Sequence, residues 1–471
     1  MLRQRNTKIV ATLGPASSSP SSIDNLFRSG VDIFRLNFSH GNHKEKRKLV
    51  YQIRQYEKRL NRPIGILGDL QGPKFRIGIF SKKQVIIKNG NKFTLDLNSS
   101  QGNEKRVCLP HPEIFKSLKK NSKILIDDGK IYLNVLKVSS DKIETEIISG
   151  GKISNNKGVN IPNILIKTSP LTEKDFNDLD LCVDLSLDYI ALSFVQRPSD
   201  ILKLRKIVKK NTAIMTKFEK PLAIERMEDI LKYSDAAMVA RGDLGVEMPP
   251  EEVPIIQKRI VQKSRDLGKP VVVATQMLDS MINSPSPTRA EASDVATAVF
   301  DSADALMLSA ETAMGKYPIE SVKIMDRIIR GVESDSSYKF FIRSKKVKLE
   351  ETTSDAISAA ASQVVNTVLA KAIFTYTRSG KTAIRAARER PSVPIIGLSP
   401  ERLTARQLSL IWGVHSIHAH EPKSFSGMIN NACELAKKEK IVKKGDCVVI
   451  TAGAPIGVTG STNNLRIAKI S

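Results

Sequence analysis

Apolar and polar positions follow one recurring unit along this chain. A short apolar run ends in polar residues, and a stretch with apolar residues every three to four positions follows. Eight such runs occur, at 8–13, 33–39, 64–67, 189–194, 213–215, 236–239, 271–275 and 305–311. Helical periodicity between them is plainest at 199–210 and 254–267. Runs this short, bounded by turn residues, predict buried strands. Eight strand–helix units fit an α/β fold, a closed parallel (β/α)8 TIM barrel whose functional residues gather at the C-terminal strand ends. An open doubly wound sheet is the alternative. The number of runs and the polar residues closing each of them favour the barrel.

Two stretches break the unit. Residues 72–162 alternate with period two and carry turn signals at Asn89-Gly90-Asn91, Asp127-Asp128-Gly129-Lys130 and Gly150-Gly151. They predict a small all-β domain inserted after the third strand, above the barrel mouth, where it can act as a lid. Beyond Lys348 a helical stretch at 354–369 is followed by short strands at 372–376, 394–397 and 446–450, an α/β pattern. The expected domains are therefore a barrel at 1–71 and 163–345, a lid at 72–162 and a C-terminal α/β domain at 346–471. In the last, Thr377-Arg378-Ser379-Gly380-Lys381-Thr382 lies between a strand and a helix. Free backbone N–H groups at a helix start suit a phosphate, although ordinary Ser/Thr capping explains the same residues.

The densest chemistry is at Thr216-Lys217-Phe218-Glu219 and Ala240-Arg241-Gly242-Asp243-Leu244-Gly245. Residues i and i+2 of a strand share a face, so Lys217 and Glu219 project together. Asp243 is read as the end of the next strand, after a glycine that lets a ligand approach the backbone. One ammonium and two carboxylates at neighbouring strand ends can hold a divalent ion and a phosphorylated anion together. A buried ion pair beside a glycine turn fits the same spacing.

Composition narrows the classes. A chain of 471 residues with 41% apolar content has material for two or three packed domains. No apolar run approaches the ~20 residues of a membrane helix. Met1-Leu2-Arg3-Gln4-Arg5 leads directly into the first strand without a signal-type apolar segment. The scattered Cys108, Cys182, Cys433 and Cys447 suit neither a zinc site nor a disulfide framework, and a cytoplasmic location is expected. A net charge of +25 raises nucleic-acid binding, but the basic residues are dispersed and aromatics are only 5%, too few for a base-stacking surface. The charge is read as a solvated surface attractive to anionic metabolites, with no specific nucleic-acid or membrane partner.

Motifs spread over the whole chain then carry a resemblance. Lys8 to Pro15, Arg35-Leu36-Asn37-Phe38-Ser39-His40-Gly41, Gly72-Pro73 with Arg76, Asn156 to Asn160, Lys217-Phe218-Glu219, Met238 to Glu247, Ala274 to Leu278, Pro287 to Glu291 and Leu308 to Thr312 resemble, in this order, the pyruvate kinase family. The resemblance implies a barrel, an inserted lid and a C-terminal effector domain. It implies phosphoryl transfer from phosphoenolpyruvate to ADP, giving pyruvate and ATP, the last step of glycolysis. By resemblance Glu219 and Asp243 bind Mg²⁺ (or Mn²⁺), and Lys217 lies against the transferring phosphoryl group and the enolate oxygen. Gly242 admits the substrate carboxylate to backbone donors at a helix start. Thr275 binds substrate and helps deliver a proton; Ser309 belongs to the same relay or is a helix cap. Arg35 clamps phosphate, while Asn37, His40, Arg76 and Lys157 lie on the nucleotide side. Thr377, Arg378, Ser379, Gly380, Lys381 and Thr382, with the glycine-rich stretch 453–462, resemble a sugar-phosphate effector site. A homotetramer is expected on the same ground.

One departure bears on cofactors. The potassium-dependent branch carries Thr after the aspartate that closes the third strand and Glu after Gly-Pro. Here the stretch is Asp69-Leu70-Gln71-Gly72-Pro73-Lys74. Leu70 removes a hydroxyl ligand and Lys74 brings an ammonium, a pattern similar to the potassium-independent branch. Asn37, Ser39 and Asp69 of the usual K⁺ shell persist, and K⁺ is not expected to be required. Two other classes fit part of the pattern: a metal-dependent pyruvate aldolase, and a catalytically idle sensor of a sugar phosphate. Neither explains Arg35, Arg76 and Lys157 together with Lys217, Glu219, Asp243 and Thr275.

Overall fold

The computed structural model describes residues 2–162, 164, 169–208, 211–345, 347–422, 424–455 and 462–470. Eight parallel strands close a barrel: β1 (Lys8–Leu13), β2 (Ile33–Asn37), β3 (Gly65–Asp69), β4 (Tyr189–Leu192), β5 (Ala213–Phe218), β6 (Ala236–Ala240), β7 (Val271–Ala274) and β8 (Ala305–Leu308). Each pairs with its neighbours in sequence, and β1 closes on β8 through Lys8 with Ala305 and Ala11 with Leu308. The strands are apolar because both faces are covered, by helices outside and by packed side chains inside. Alternate residues divide accordingly. Ile9, Leu36, Ile66, Ile190 and Ile214 face the helices, whereas Val10, Leu67, Ala191, Met215, Met238 and Met307 fill the interior.

Several strand ends differ from the sequence expectation, each for a local reason. β5 runs through Phe218, so Lys217 is a strand residue and not the residue after one. Its ammonium finds partners inside the barrel mouth, and the strand does not have to stop at the first charge. β2 stops at Asn37, whose Oδ1 accepts the Ser39 N–H at 3.0 Å in a local turn. β4 stops at Leu192, before Phe194 at φ 56°. β8 stops at Leu308, and residues Ala310–Ala313 form a helical turn. Asp243 does not end β6; it lies in the first turn of a short helix, Arg241–Glu247, that begins as soon as β6 ends.

Between β3 and β4 lies a six-stranded sheet with a separate two-stranded one and a core of its own, including Phe93, Leu95, Val107, Ile124, Leu133 and Ile143. Strand Val159–Asn160 leads from this lid back toward the barrel. The C-terminal part is a five-stranded sheet of β9 (Ile373–Tyr376), β10 (Ile395–Ser399), β11 (Val414–His418), β12 (Cys447–Gly453) and β13 (Thr462–Lys469), in the order β11-β10-β9-β12-β13. β13 is antiparallel to β12 and the others run parallel. The barrel interior does not stop at its N-terminal rim. Ile33, Tyr189, Ala213, Ala236 and Ala305, at or near the strand starts, belong to one apolar cluster with Leu408, Leu410, Ile411 and Val414 of the C-terminal domain. That domain is the floor of the barrel.

Candidate active site

The C-terminal rim of the barrel gathers charged side chains from successive strands. Lys217 of β5 is only 9% exposed. Its Nζ donates to Ser193 Oγ at 2.7 Å and lies 2.7 Å from Glu219 Oε1 and 3.3 Å from Asp69 Oδ1. Asp69, closing β3, accepts from Arg35 Nε of β2 at 2.7 Å, and Arg35 Nη1 donates to Thr12 Oγ1 of β1 at 3.0 Å. Four strands, β1, β2, β3 and β5, and the residue that follows β4 thus contribute to one network. Burial alone would weaken the Lys217 ammonium, but the carboxylates of Asp69, Glu219 and Asp243 outweigh it and hold the group above the usual lysine range. Asp69 is also fully buried, yet Lys217 and Arg35 hold its carboxyl below the ordinary value.

Glu219 has the opposite balance. Its Oε2 accepts the Phe194 N–H at 2.8 Å. Its Oε1 lies 2.7 Å from Lys217 Nζ, a close charge-assisted contact. Burial raises the Glu219 carboxyl, Lys217 opposes this, and the like charge of Asp243 adds to the rise. Two carboxylates that repel one another across this rim have the hard-oxygen chemistry that suits a divalent cation. Among the described residues no group of three or more His, Cys, Asp or Glu stands close enough to form an all-protein cage. Mg²⁺ suits a pair of carboxylates completed by substrate oxygens.

Thr275 and Gln276 follow β7 with φ of 70° and 54°, a left-handed pair that non-glycine residues rarely adopt. Thr275 Oγ1 donates to Ala274 O at 2.6 Å and accepts the Gly242 N–H at 2.8 Å. The Gly242 donor, expected for a substrate carboxylate, is therefore engaged by Thr275. Arg241 braces this corner, with Nη2 donating to Thr275 O at 2.7 Å and Nη1 to Asp294 Oδ1 at 2.7 Å. Ser309 stands at the start of the turn after β8, its N–H donating to Glu311 Oε2 at 2.7 Å and its side chain making no capping bond.

The residues expected on the nucleotide side lie toward the lid. His40 is exposed, and its imidazole is lowered first by partial burial, then by Lys46, Arg76, Lys74 and Arg35 around it. Arg76 bridges to Gly158 in the lid's exit segment and donates from Nη1 to Asn156 O at 2.8 Å. Lys157 Nζ is 2.8 Å from Asp127 Oδ1, within the lid. Lys74 lies against Gly158, while the Asp69 carboxylate is taken by Arg35 and Lys217. In the C-terminal domain, Thr377 follows β9 and Gly380, at φ 82°, precedes helix Lys381–Arg388. The buried Thr382 hydroxyl is 2.7 Å from that of Thr462, and Arg378 donates to Glu421 at 2.7 Å. Ser379 and Lys381 complete this loop; residues 456–461 of the glycine-rich stretch are outside the described residues.

Sequence reasoning missed three contributors. Ser193 was within reach, since it closes the polar end of the fourth run. Arg241 directly precedes Gly242 in its motif. The third is Glu247, buried at the end of its helix, whose Oε1 accepts from Lys220 Nζ at 2.5 Å and from Asn160 Nδ2 of the lid at 2.8 Å. No local signal pairs Asn160 with Glu247.

Comparison with known proteins agrees with this geometry. Residues 4–322 match the family model described as the pyruvate kinase barrel domain, and residues 355–468 match the pyruvate kinase alpha/beta domain. A pyruvate kinase of Methylorubrum extorquens is 48% identical over 471 residues, covering 100% of this chain and 98% of that one. A pyruvate kinase of Geobacillus stearothermophilus is 40% identical, covering 99% of this chain and 81% of its own length. The crystal structure of a pyruvate kinase from Cryptosporidium parvum superposes with a TM-score of 0.93 at 34% identity, over 99% of this chain and 97% of that one. No helix among the described residues is long and apolar enough to cross a membrane. With both the barrel and the C-terminal domain matched by family models, and a relative 48% identical over the whole chain, the chain belongs to the pyruvate kinase family.

Proposed function

We propose that this chain is a phosphotransferase that moves the phosphoryl group of phosphoenolpyruvate to ADP, yielding pyruvate and ATP, through the residues at the C-terminal rim of its barrel. The observation that carries the assignment of residues is the placement of Lys217, buried among Ser193, Asp69 and Glu219. A fixed cation there offsets negative charge as it moves between phosphoryl and enolate oxygens, at no reorganisation cost during reaction. Arg35, oriented by Asp69 and Thr12, offers the planar guanidinium that matches phosphate oxygens. Glu219 and Asp243 would hold Mg²⁺ or Mn²⁺, which when bound draws charge from the phosphoryl and carboxylate oxygens.

The bond between phosphorus and the enol oxygen breaks as one forms to the terminal oxygen of ADP; the enolate then takes a proton at carbon. Thr275, whose hydroxyl donates to Ala274 O and accepts the Gly242 N–H, binds substrate and passes that proton, and Ser309 belongs to the same relay. Its hydroxyl is too weak an acid to be the ultimate donor. Asn37, His40, Arg76 and Lys157 form the nucleotide side, and lid closure carries Arg76 and Lys157 toward ADP. Lys74 supplies positive charge in place of K⁺. Thr377 to Thr382 take a sugar-phosphate effector, and the working form is a homotetramer in the cytoplasm. ADP-dependent pyruvate formation in a coupled assay tests the reading: Lys217→Ala should lower kcat by roughly 100-fold or more, the scale of losing one preorganised charge stabiliser. Wild-type turnover retained in that variant would refute the assignment.

A further inference from the structure

The lid is tied to the barrel at its two stems. At the entry, the Gly72 N–H donates at 3.0 Å to Oδ1 of Asp175, which is buried at the start of helix Glu173–Asp184. Gly72 stands at φ 70°, and a Cβ there would come within 2.7 Å of the Phe194 ring, so the backbone lies directly on that ring. At the exit, Asn160 Nδ2 donates to Glu247 Oε1 at 2.8 Å. Among the described residues, 72–162 make no other hydrogen bond to the barrel.

The exit stem is the one joined to the chemistry. Lys220, the residue after Glu219, donates from Nζ to the same Glu247 Oε1 at 2.5 Å and lies 5.6 Å from the centre of the Phe194 ring. The Phe194 N–H in turn holds Glu219 Oε2. Glu247 closes helix Arg241–Glu247 one turn after Asp243 and is buried. Its Oε2 accepts no hydrogen bond among the described residues, so Lys220 and Asn160 carry all of the hydrogen bonding of this carboxylate. One buried acid therefore joins three pieces of chain: the end of β5 with Glu219, the helix with Asp243, and the lid strand Val159–Asn160. The segment before that strand pairs with Arg76 at Gly158 and carries Lys157. Where Asn160 is pinned thus decides where both cations stand.

We propose that Glu247 and Asn160 are a positioning pair for the phosphoryl transfer: their hydrogen bond fixes the lid's exit strand against the elements that carry Glu219 and Asp243, and so sets how Arg76 and Lys157 meet ADP. Neither residue touches a substrate. The inference rests on the reading that Arg76 and Lys157 serve the nucleotide. Hydrogen bonds to a charged group are the stronger kind, and this one acts where the lid has few other ties. Lys220 still holds Glu247 when the Asn160 amide is removed, so helix Arg241–Glu247 keeps its place and the loss falls on the lid alone. The effect is therefore expected on ADP and not on phosphoenolpyruvate, which the barrel rim binds.

Steady-state kinetics of the full-length protein, with each substrate varied in turn, test the pair. Asn160→Ala should raise KM for ADP by about tenfold and leave KM for phosphoenolpyruvate within about twofold. Asn160→Asp keeps the shape but has no N–H to donate, and should raise KM for ADP likewise. Combining it with Glu247→Gln, whose amide donates back to the new carboxylate while Lys220 keeps one acid partner, should return KM for ADP to within about threefold of the wild type. Hydrogen exchange of the unliganded protein gives a readout independent of turnover: amides of 156–160 should exchange about tenfold faster in Asn160→Ala, and those of 241–247 at the wild-type rate. The pair is overturned by an ADP KM within twofold of wild type in Asn160→Ala, by an equal rise in both KM values, by a double variant no better than Asn160→Asp, or by unchanged exchange at 156–160. A wild-type protein that makes no pyruvate from ADP and phosphoenolpyruvate defeats the assigned activity instead, and the exchange rates then decide the pair by themselves.

Discussion

Asp69 ties Arg35 to Lys217: its Oδ2 accepts from Arg35 Nε at 2.7 Å and its Oδ1 lies 3.3 Å from Lys217 Nζ. One buried carboxylate from β3 thus sets the position of cations on β2 and β5. Asp69→Asn removes the charge and leaves the shape. Hydrogen bonds to charged groups are worth about 1.5–3 kcal/mol, so kcat/KM should fall roughly ten- to a hundredfold. Because Asp69 supports the Lys217 ammonium, the alkaline limb of the pH profile should move to lower pH in the variant. Steady-state kinetics across pH check both; an unchanged limb removes Asp69 from this role.

Glu219→Gln keeps the volume and the Phe194 contact but discards one of the two charges assigned to the cation. Affinity for Mn²⁺, followed by its paramagnetic resonance signal, should drop by about tenfold or more, the scale reached even by changes around metal ligands. Chelation should abolish wild-type turnover, and added Mg²⁺ should restore it.

The proposed potassium independence rests on Lys74. Turnover of the wild type in tetramethylammonium buffer should match that in K⁺. Lys74→Glu, which reverses the charge beside Gly158, should create a K⁺ requirement. A rise of more than roughly tenfold in wild-type kcat/KM on adding K⁺, equivalent to about 1.4 kcal/mol, would count against the assignment.

Asp32 supplies a stability prediction far from the rim. It is buried, accepts the Ile9 N–H at 3.0 Å and pairs with Arg5 at 2.9 Å and Arg3 at 3.4 Å. Burial would raise its carboxyl, but Arg5, Lys8 and Arg3 prevail and hold it well below the usual range. Its stabilisation is therefore complete above the unfolded value of about 3.9 and is lost as pH falls from there toward the folded value. Asp32→Asn should cost about 3–5 kcal/mol at neutral pH, as expected for breaking a buried pair. The gap between variant and wild type in thermal melts should narrow below about pH 4.

The barrel was legible because its strands are apolar on both faces and end at polar residues, a pattern that needs no tertiary information. The pairing of Lys217 with Glu219 followed from strand geometry alone. The helix Arg241–Glu247 was not legible: seven residues give no period, and Gly242 and Gly245 disfavour helix locally. It forms because β6 ends there and Leu244 is buried beneath it. The occupation of the Gly242 N–H by Thr275 and the Asn160–Glu247 bond join residues 33 and 87 positions apart. Such contacts are decided by how the closed barrel and lid meet, which no local pattern encodes.

The apolar cluster shared by Ile33, Tyr189 and Ala305 with Leu408, Ile411 and Val414 has a consequence for dissection of the chain. Cutting after residue 345 would uncover an oily patch at the base of the catalytic half, and the severed fragment should aggregate or melt early. Catalysis and the C-terminal layer then share one cooperative melting event in calorimetry, so the two halves of the molecule cannot be lost or traded independently.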